Sequence, residues 1–314
     1  MPNSTSPFAS ASRRLLALVC LGALVETVLP SNARAQIFVV GRISETIGEY
    51  SLGGSMVAQT GGFTSPLWIT ASTSELFYTD VAGTTIGRIP YPSLGGTANP
   101  TLVTGLSGAR GVALFGSNLF VGNSTSGTIG KYTTAGGTVN AGFLTGFQTF
   151  GQLLVTVSDT NLFVLDVKAG TVGSYDAATG TAINASLLTL DPFSTSSLAV
   201  SGTDLFIGNS NGTVGKYTTG GGVVNPTFIS LGSSTQVSSL AVSGSDLLVG
   251  QTAISKYDVG TGALLNGSFI SGFAGLAGIA VAPVAAVPEP ALGPLLGGVM
   301  AFVLTWRRRR GQRS

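Results

Sequence analysis

Arg42, Asp80, Asn123, Asp166, Asn209 and Gln251 share one recurring place in the chain, at the end of an apolar segment and just before a turn. Carboxylate and amide oxygens are hard ligands, so Asp80 and Asp166 with the asparagines could supply an oxygen-only site for calcium or magnesium. A plainer role suits the same places: Asp and Asn accept hydrogen bonds from the turn that follows, and capping needs no ligand. A second series pairs Lys131-Tyr132, Lys216-Tyr217 and Lys256-Tyr257. Strand alternation sends the two side chains to opposite faces, which predicts a packed tyrosine beside a solvated lysine. A carbohydrate-stacking row of tyrosines is the alternative. In a third series, Asn99, Asn140, Asn184, Asn225 and Asn266 each precede Leu or Phe by three positions. Turns or bulges on an outer strand account for these asparagines better than a shared ligand site does.

What is missing narrows the chemistry further. The chain has no histidine, and its single cysteine, Cys20, lies near the N-terminus. Histidine-dependent triads and the usual nitrogen and sulfur metal sites are therefore out of reach. Charged residues make up only 9% of the 314, and hydrophobic ones 44%. Between Gln36 and Pro288 stand seven basic and eleven acidic residues, a net charge of −4. Thinly spread negative charge argues against nucleic acid as a partner. The glycines, 46 in all, do not follow a strand and open a helix, so they mark turns and not a phosphate cradle. No catalytic, cofactor-binding or metal-ligating residue is assigned.

The elements that position these residues repeat. Leu119-Phe120-Val121-Gly122-Asn123 leads through a turn into Thr128-Ile129-Gly130-Lys131-Tyr132, and the pattern returns as Leu205 to Tyr217. Weaker copies begin at Ile37, Leu76, Leu162 and Leu247, at steps of 39 to 43 residues. Each copy holds four short strand candidates separated by Gly, Asn, Ser or Asp. Four antiparallel strands per unit of this length make the blade of a β-propeller. A parallel β-helix has shorter coils, and tight turns favour antiparallel meanders. Six innermost strands are expected, at Leu67–Thr70, Gly111–Phe115, Leu153–Val157, Ser197–Val200, Ser239–Val242 and Gly278–Val281. The chain enters on a second strand at Ile37 and leaves on an innermost one. The last strand must then complete the first blade and close the ring, which removes the open edges. The expected fold over residues 36–283 is all-β: a six-bladed propeller of four-stranded antiparallel blades.

Over residues 37–282 this pattern resembles the six-bladed propellers of the NHL-repeat and lactonase-like kind, whose second strand ends near Asp or Asn. Lactonase-like propellers hold a divalent metal through Glu, Asp and Asn oxygens near the channel. The resemblance thus draws attention to Asp80 and Asp166, but no glutamate ligand can be matched here.

Both ends of the chain read as addresses. Arg13 and Arg14, the apolar run Leu15 to Val25, and Ala33 and Ala35 before Gln36 have the order of a signal peptide over residues 1–35. Residues 284–290 form a linker ending in Pro288-Glu289-Pro290, followed by an apolar run over 291–306 and a basic tail over 307–314 that contains Arg307, Arg308, Arg309 and Arg310. This arrangement resembles a PEP-CTERM sorting tail, which implies a bacterial exported protein cleaved by an exosortase-type enzyme. The 16-residue run is expected to be a transmembrane helix. At ~1.5 Å per residue it is short for a ~30 Å core, with snorkelling arginines making up the difference and fixing the cytoplasmic side. The chain is accordingly expected to be an inner-membrane intermediate, then a surface or extracellular matrix protein that binds exopolysaccharide or a surface protein. An exported metal-dependent hydrolase or lactonase is the alternative.

Overall fold

The computed structural model describes residues 36–80, 83–91, 94, 98–232 and 235–283. Blade 1 starts the chain with β1 (Gln36–Gly41), β2 (Thr46–Ser51) and β3 (Met56–Gly61). Blade 2 is β4 (Pro66–Ala71), β5 (Glu75–Asp80), β6 (Ile86–Pro90) and β7 (Asn99–Val103). In blade 3 the strands are β8 (Ala109–Phe115), β9 (Asn118–Asn123), β10 (Thr128–Thr133) and β11 (Thr138–Thr145). Blade 4 follows with β12 (Leu153–Ser158), β13 (Asn161–Asp166), β14 (Thr171–Asp176) and β15 (Ala182–Thr189), and blade 5 with β16 (Thr195–Ser201), β17 (Asp204–Asn209), β18 (Thr213–Thr218) and β19 (Val223–Ser230). Blade 6 comprises β20 (Ser239–Ser243), β21 (Asp246–Gly250), β22 (Ile254–Asp258) and β23 (Leu264–Ile270). The last strand, β24 (Leu276–Val281), returns to blade 1, whose sheet order is β24-β1-β2-β3. It pairs antiparallel with β1, Ile37 opposite Val281 and Val39 opposite Ile279, so the ring closes as the repeat count requires. Innermost strands of successive blades touch all the way round.

The core lies between blades. Six apolar clusters form, each drawn from two adjacent blades, including one that joins blade 6 to blade 1. Phe38, Phe77, Phe120, Phe163 and Phe206 hold the same place on the second strand and are fully buried. Each such ring removed from water stabilises the fold by about 1.5–3 kcal/mol. The repeated Gly-x-Tyr of the third strand has a packing reason. The Tyr132 ring lies back over Gly130, where an added Cβ would meet it at 2.6 Å.

The expected fold is corrected at one point. The described residues contain strands and turns but no helix, and none that is long and apolar enough to cross a membrane. The transmembrane helix expected over 291–306 is dropped from the fold class, and residues 291–306 lie outside the described residues. The run is also shorter than the ~20 apolar residues that a spanning helix requires. Ala33, Ala35, Pro288, Glu289, Pro290, Arg307, Arg308, Arg309 and Arg310 fall outside the described residues as well.

Candidate functional site

Two cavities share the propeller axis. The channel proper, about 220 Å³, is lined by innermost strands of all six blades, with Val112, Val155, Leu198, Leu240 and Ile279 on its wall alongside Thr70, Thr156, Ser197 and Ser239. Its wider mouth, about 580 Å³, opens where those strands begin, and the wall there is polar: Arg42, Glu45, Arg110, Gln152, Ser196, Gln236 and Ser238. Trp68 lines both cavities and stands between them. It packs against the cluster between blades 2 and 3 and also against the one between blades 4 and 5, so its indole reaches across the axis.

Local structure explains how each side chain arrives. Arg42 opens the turn between β1 and β2, a turn that ends on Glu45 with φ 53°. That turn is fastened to the chain just before β24: the Arg42 N–H donates to the Gly275 carbonyl at 2.8 Å and the Ile43 N–H to Ala274 at 3.0 Å. Arg110 is the second residue of β8 and Trp68 the third of β4. The buried Thr79 hydroxyl links the two strands, accepting from the Trp68 N–H at 3.2 Å and donating to the Arg110 carbonyl at 3.5 Å. Burial lowers the Arg110 pKa, and the Arg42 guanidinium lowers it further. Two like charges therefore feel one another at the mouth. Neither has a carboxylate within ion-pair distance among the described residues.

Of the six residues at the end of the second strand, only Arg42 lines the mouth. Asp80 turns back on its own loop, accepting from the Gly83 N–H at 3.1 Å and the Thr85 hydroxyl at 3.1 Å. Asp166 accepts from the Ala169 N–H at 3.0 Å and the Gln148 N–H at 2.8 Å. Asn123 accepts weakly from the Ser107 N–H, Asn209 donates to the Thr213 hydroxyl, and Gln251 donates to the Thr235 carbonyl. These residues fix the loops around the mouth and do not converge on a centre. The outer asparagines behave alike: Asn99, Asn140, Asn184, Asn225 and Asn266 each accept from the N–H two residues on. In the ladders that hold them the register shifts beside the asparagine, as a bulge requires.

Lys131 and Lys216 are not solvated. Lys131 is 8% exposed, and its ammonium donates to the carbonyls of Ala177 and Ala178 in blade 4 at 2.9 and 3.0 Å. It lies 5.4 Å and 4.8 Å from the ring centroids of Phe120 and Phe143. Lys216 likewise reaches the Val259 carbonyl of blade 6 at 3.3 Å and pairs with Asp204 at 2.9 Å. These lysines staple one blade to the next. In blade 1 the same place is taken by Glu49, fully buried, with one oxygen bonded to the Gln36 amide and the other, Oε2, without a partner. Burial raises the Glu49 pKa, and Tyr91 nearby is pushed up to about 12 by burial and then by Glu49.

No protein-family model matches the chain, and no curated protein matches it. Solved structures do. A chain in the crystal structure of a nidogen/laminin complex superposes with a TM-score of 0.59 at 15% identity, covering 80% of this chain and 99% of that one. A functionally unknown protein from Desulfotomaculum acetoxidans superposes with a TM-score of 0.55 at 12% identity, with the same coverage, 80% and 99%. At these identities the likeness shows the fold alone. The chain is a six-bladed β-propeller protein.

Proposed function

We propose that this propeller is an exported, non-catalytic binding protein, sorted through its Pro288-Glu289-Pro290 segment and Arg307–Arg310 by an exosortase-type enzyme, and that it meets its partner at the Arg42–Arg110 mouth. One observation carries this reading. The mouth brings together two guanidiniums that have no carboxylate at ion-pair distance among the described residues, a tryptophan and two side-chain amides, all groups that hold a ligand. Groups able to move protons or hold a metal do not gather there: among the described residues no three His, Cys, Asp or Glu side chains cluster. Arginine stays protonated at any ordinary pH and so recognises charge without acting as a base.

The test has two arms. In the native host, the protein is expected in the surface or extracellular fraction, and replacing Pro288-Glu289-Pro290 by three alanines is expected to leave an unprocessed form of higher mass. Wild-type protein retained whole in the cytoplasm would sink the export reading. In the second arm the purified full chain is assayed for bound metal and for lactone hydrolysis. A stoichiometric divalent ion together with turnover would replace the binder by a hydrolase.

A further inference from the structure

We infer that the mouth of the channel binds the end of an acidic carbohydrate chain, with a sugar carboxylate held by Arg42 and Arg110. The inference rests on the binding reading above and adds the chemical class of the ligand. Charge comes first. Arg42 and Arg110 face the same cavity, and Glu45 is the carboxylate that shares it, so the mouth carries a net charge of about +1. The domain around it is negative, with seven basic against eleven acidic residues. A densely charged polyanion would be repelled by that surroundings, whereas one carboxylate per unit matches the local surplus. Planar guanidiniums suit it, because their fork of N–H groups matches the two oxygens of a carboxylate.

The rest of the wall fits sugar better than peptide. Gln152 and Gln236 place amide groups around the same space, while the Ser196 and Ser238 hydroxyls on its wall donate to backbone carbonyls and hold it in shape. Gln152, Gln236 and Trp68 line this one space from three different blades. Groups that both donate and accept, set round a partly exposed indole, answer to hydroxyls on a ring with one apolar face. At about 580 Å³ the cavity lies within the ~300–1,000 Å³ of small-ligand sites. Trp68 closes the floor and limits how deep the chain end can go.

The site contains its own probe. The chain has two tryptophans, and Trp306→Phe leaves Trp68 alone to report on the mouth. The full chain carrying Trp306→Phe is titrated by fluorescence with galacturonate oligosaccharides, neutral galactose oligosaccharides, inorganic phosphate and oligoglutamate. Saturable change with the uronate is expected, at least tenfold weaker with the neutral sugar, and weakening as salt is raised. Adding Arg42→Gln and Arg110→Gln together is expected to weaken uronate binding at least tenfold without lowering the melting temperature, since neither guanidinium has an ion-pair partner to lose. Absence of saturable uronate binding would overturn the inference, as would unchanged binding in the double variant. Equal or tighter binding of phosphate or oligoglutamate would overturn it too, by making the mouth a general anion or acidic-peptide site. A chain that is exported and metal-free yet ignores uronate loses this inference and keeps the binding reading. Lactone turnover with a bound metal removes that reading whatever the sugar does.

Discussion

Lys131→Met isolates the staple between blades 3 and 4. Methionine keeps most of the aliphatic stem but removes the ammonium, leaving the Ala177 and Ala178 carbonyls without their donor. Hydrogen bonds from a charged donor contribute about 1.5–3 kcal/mol each. The two phenylalanine rings at 5.4 and 4.8 Å add about 0.5–2 kcal/mol apiece. Against this stands the desolvation of an ammonium with no carboxylate at ion-pair distance among the described residues, a penalty of several kcal/mol. The difference favours the lysine by roughly 1–3 kcal/mol. For a domain of this size, about 2 kcal/mol lowers the melting temperature by roughly 4–8 °C. Thermal melts and urea titrations followed by circular dichroism measure it. Lys256→Met is the internal comparison: its side chain is 24% exposed, paired with Asp246 at 2.6 Å and 5.2 Å from one ring, Phe269, with no backbone carbonyl to leave unpaired, so a smaller loss of about 1 kcal/mol is expected. If Lys131→Met melts at or above the wild-type temperature, desolvation outweighs the bonds and the staple is not a stabilising contact.

Two further outcomes follow from packing and charge. Because burial raises the Glu49 pKa, its stabilising contribution is complete below the ordinary carboxyl pKa and is lost as pH rises through the raised value. Glu49→Gln should therefore be more resistant to urea than wild type at pH 7, with the two midpoints converging near pH 4; equal midpoints at pH 7 would refute the assignment. At Gly122 an added Cβ would stand 2.2 Å from the Leu153 carbonyl oxygen, on the backbone of the next blade. Gly122→Ala must spread blades 3 and 4, and a loss of about 1–3 kcal/mol in chemical denaturation is expected; an unchanged midpoint would mean that the blades are not in tight contact there.

The strands, the blade count and the closing strand were legible because they depend on local alternation and on a period, both of which repeat. So was the role of the five outer asparagines, whose partners lie two residues away. The lysines were misread for a definite reason. Alternation does place Lys131 opposite Tyr132, but both faces of a blade are covered by neighbouring blades, so opposite does not mean solvent. The mouth was missed because its residues differ in type from copy to copy: Arg42, Trp68, Arg110, Gln152 and Gln236 come from five blades, and although Trp68, Arg110 and Gln152 recur at the repeat step, no residue type does. A signal was nonetheless present. Where the innermost strands begin, Leu67-Trp68, Arg110-Gly111, Gln152-Leu153, Ser196-Ser197, Ser238-Ser239 and Ala277-Gly278 differ from copy to copy while the neighbouring strands hardly change.

Ring closure also sets a timetable. β1 has one edge that only β24 can satisfy, and its residues are buried throughout once that happens. Its first residues leave the ribosome some 240 residues before their partners at Leu276–Val281. At roughly 5–20 residues per second the edge stays open for on the order of 10–50 seconds, far longer than a hairpin takes to form. Blades 2 to 6 can each zip as local meanders in that interval, while blade 1 is both the first made and the last finished. Synthesis order and assembly order thus run opposite for this one blade, whose closing pair has the longest sequence separation in the ring and so carries the largest loop-closure cost.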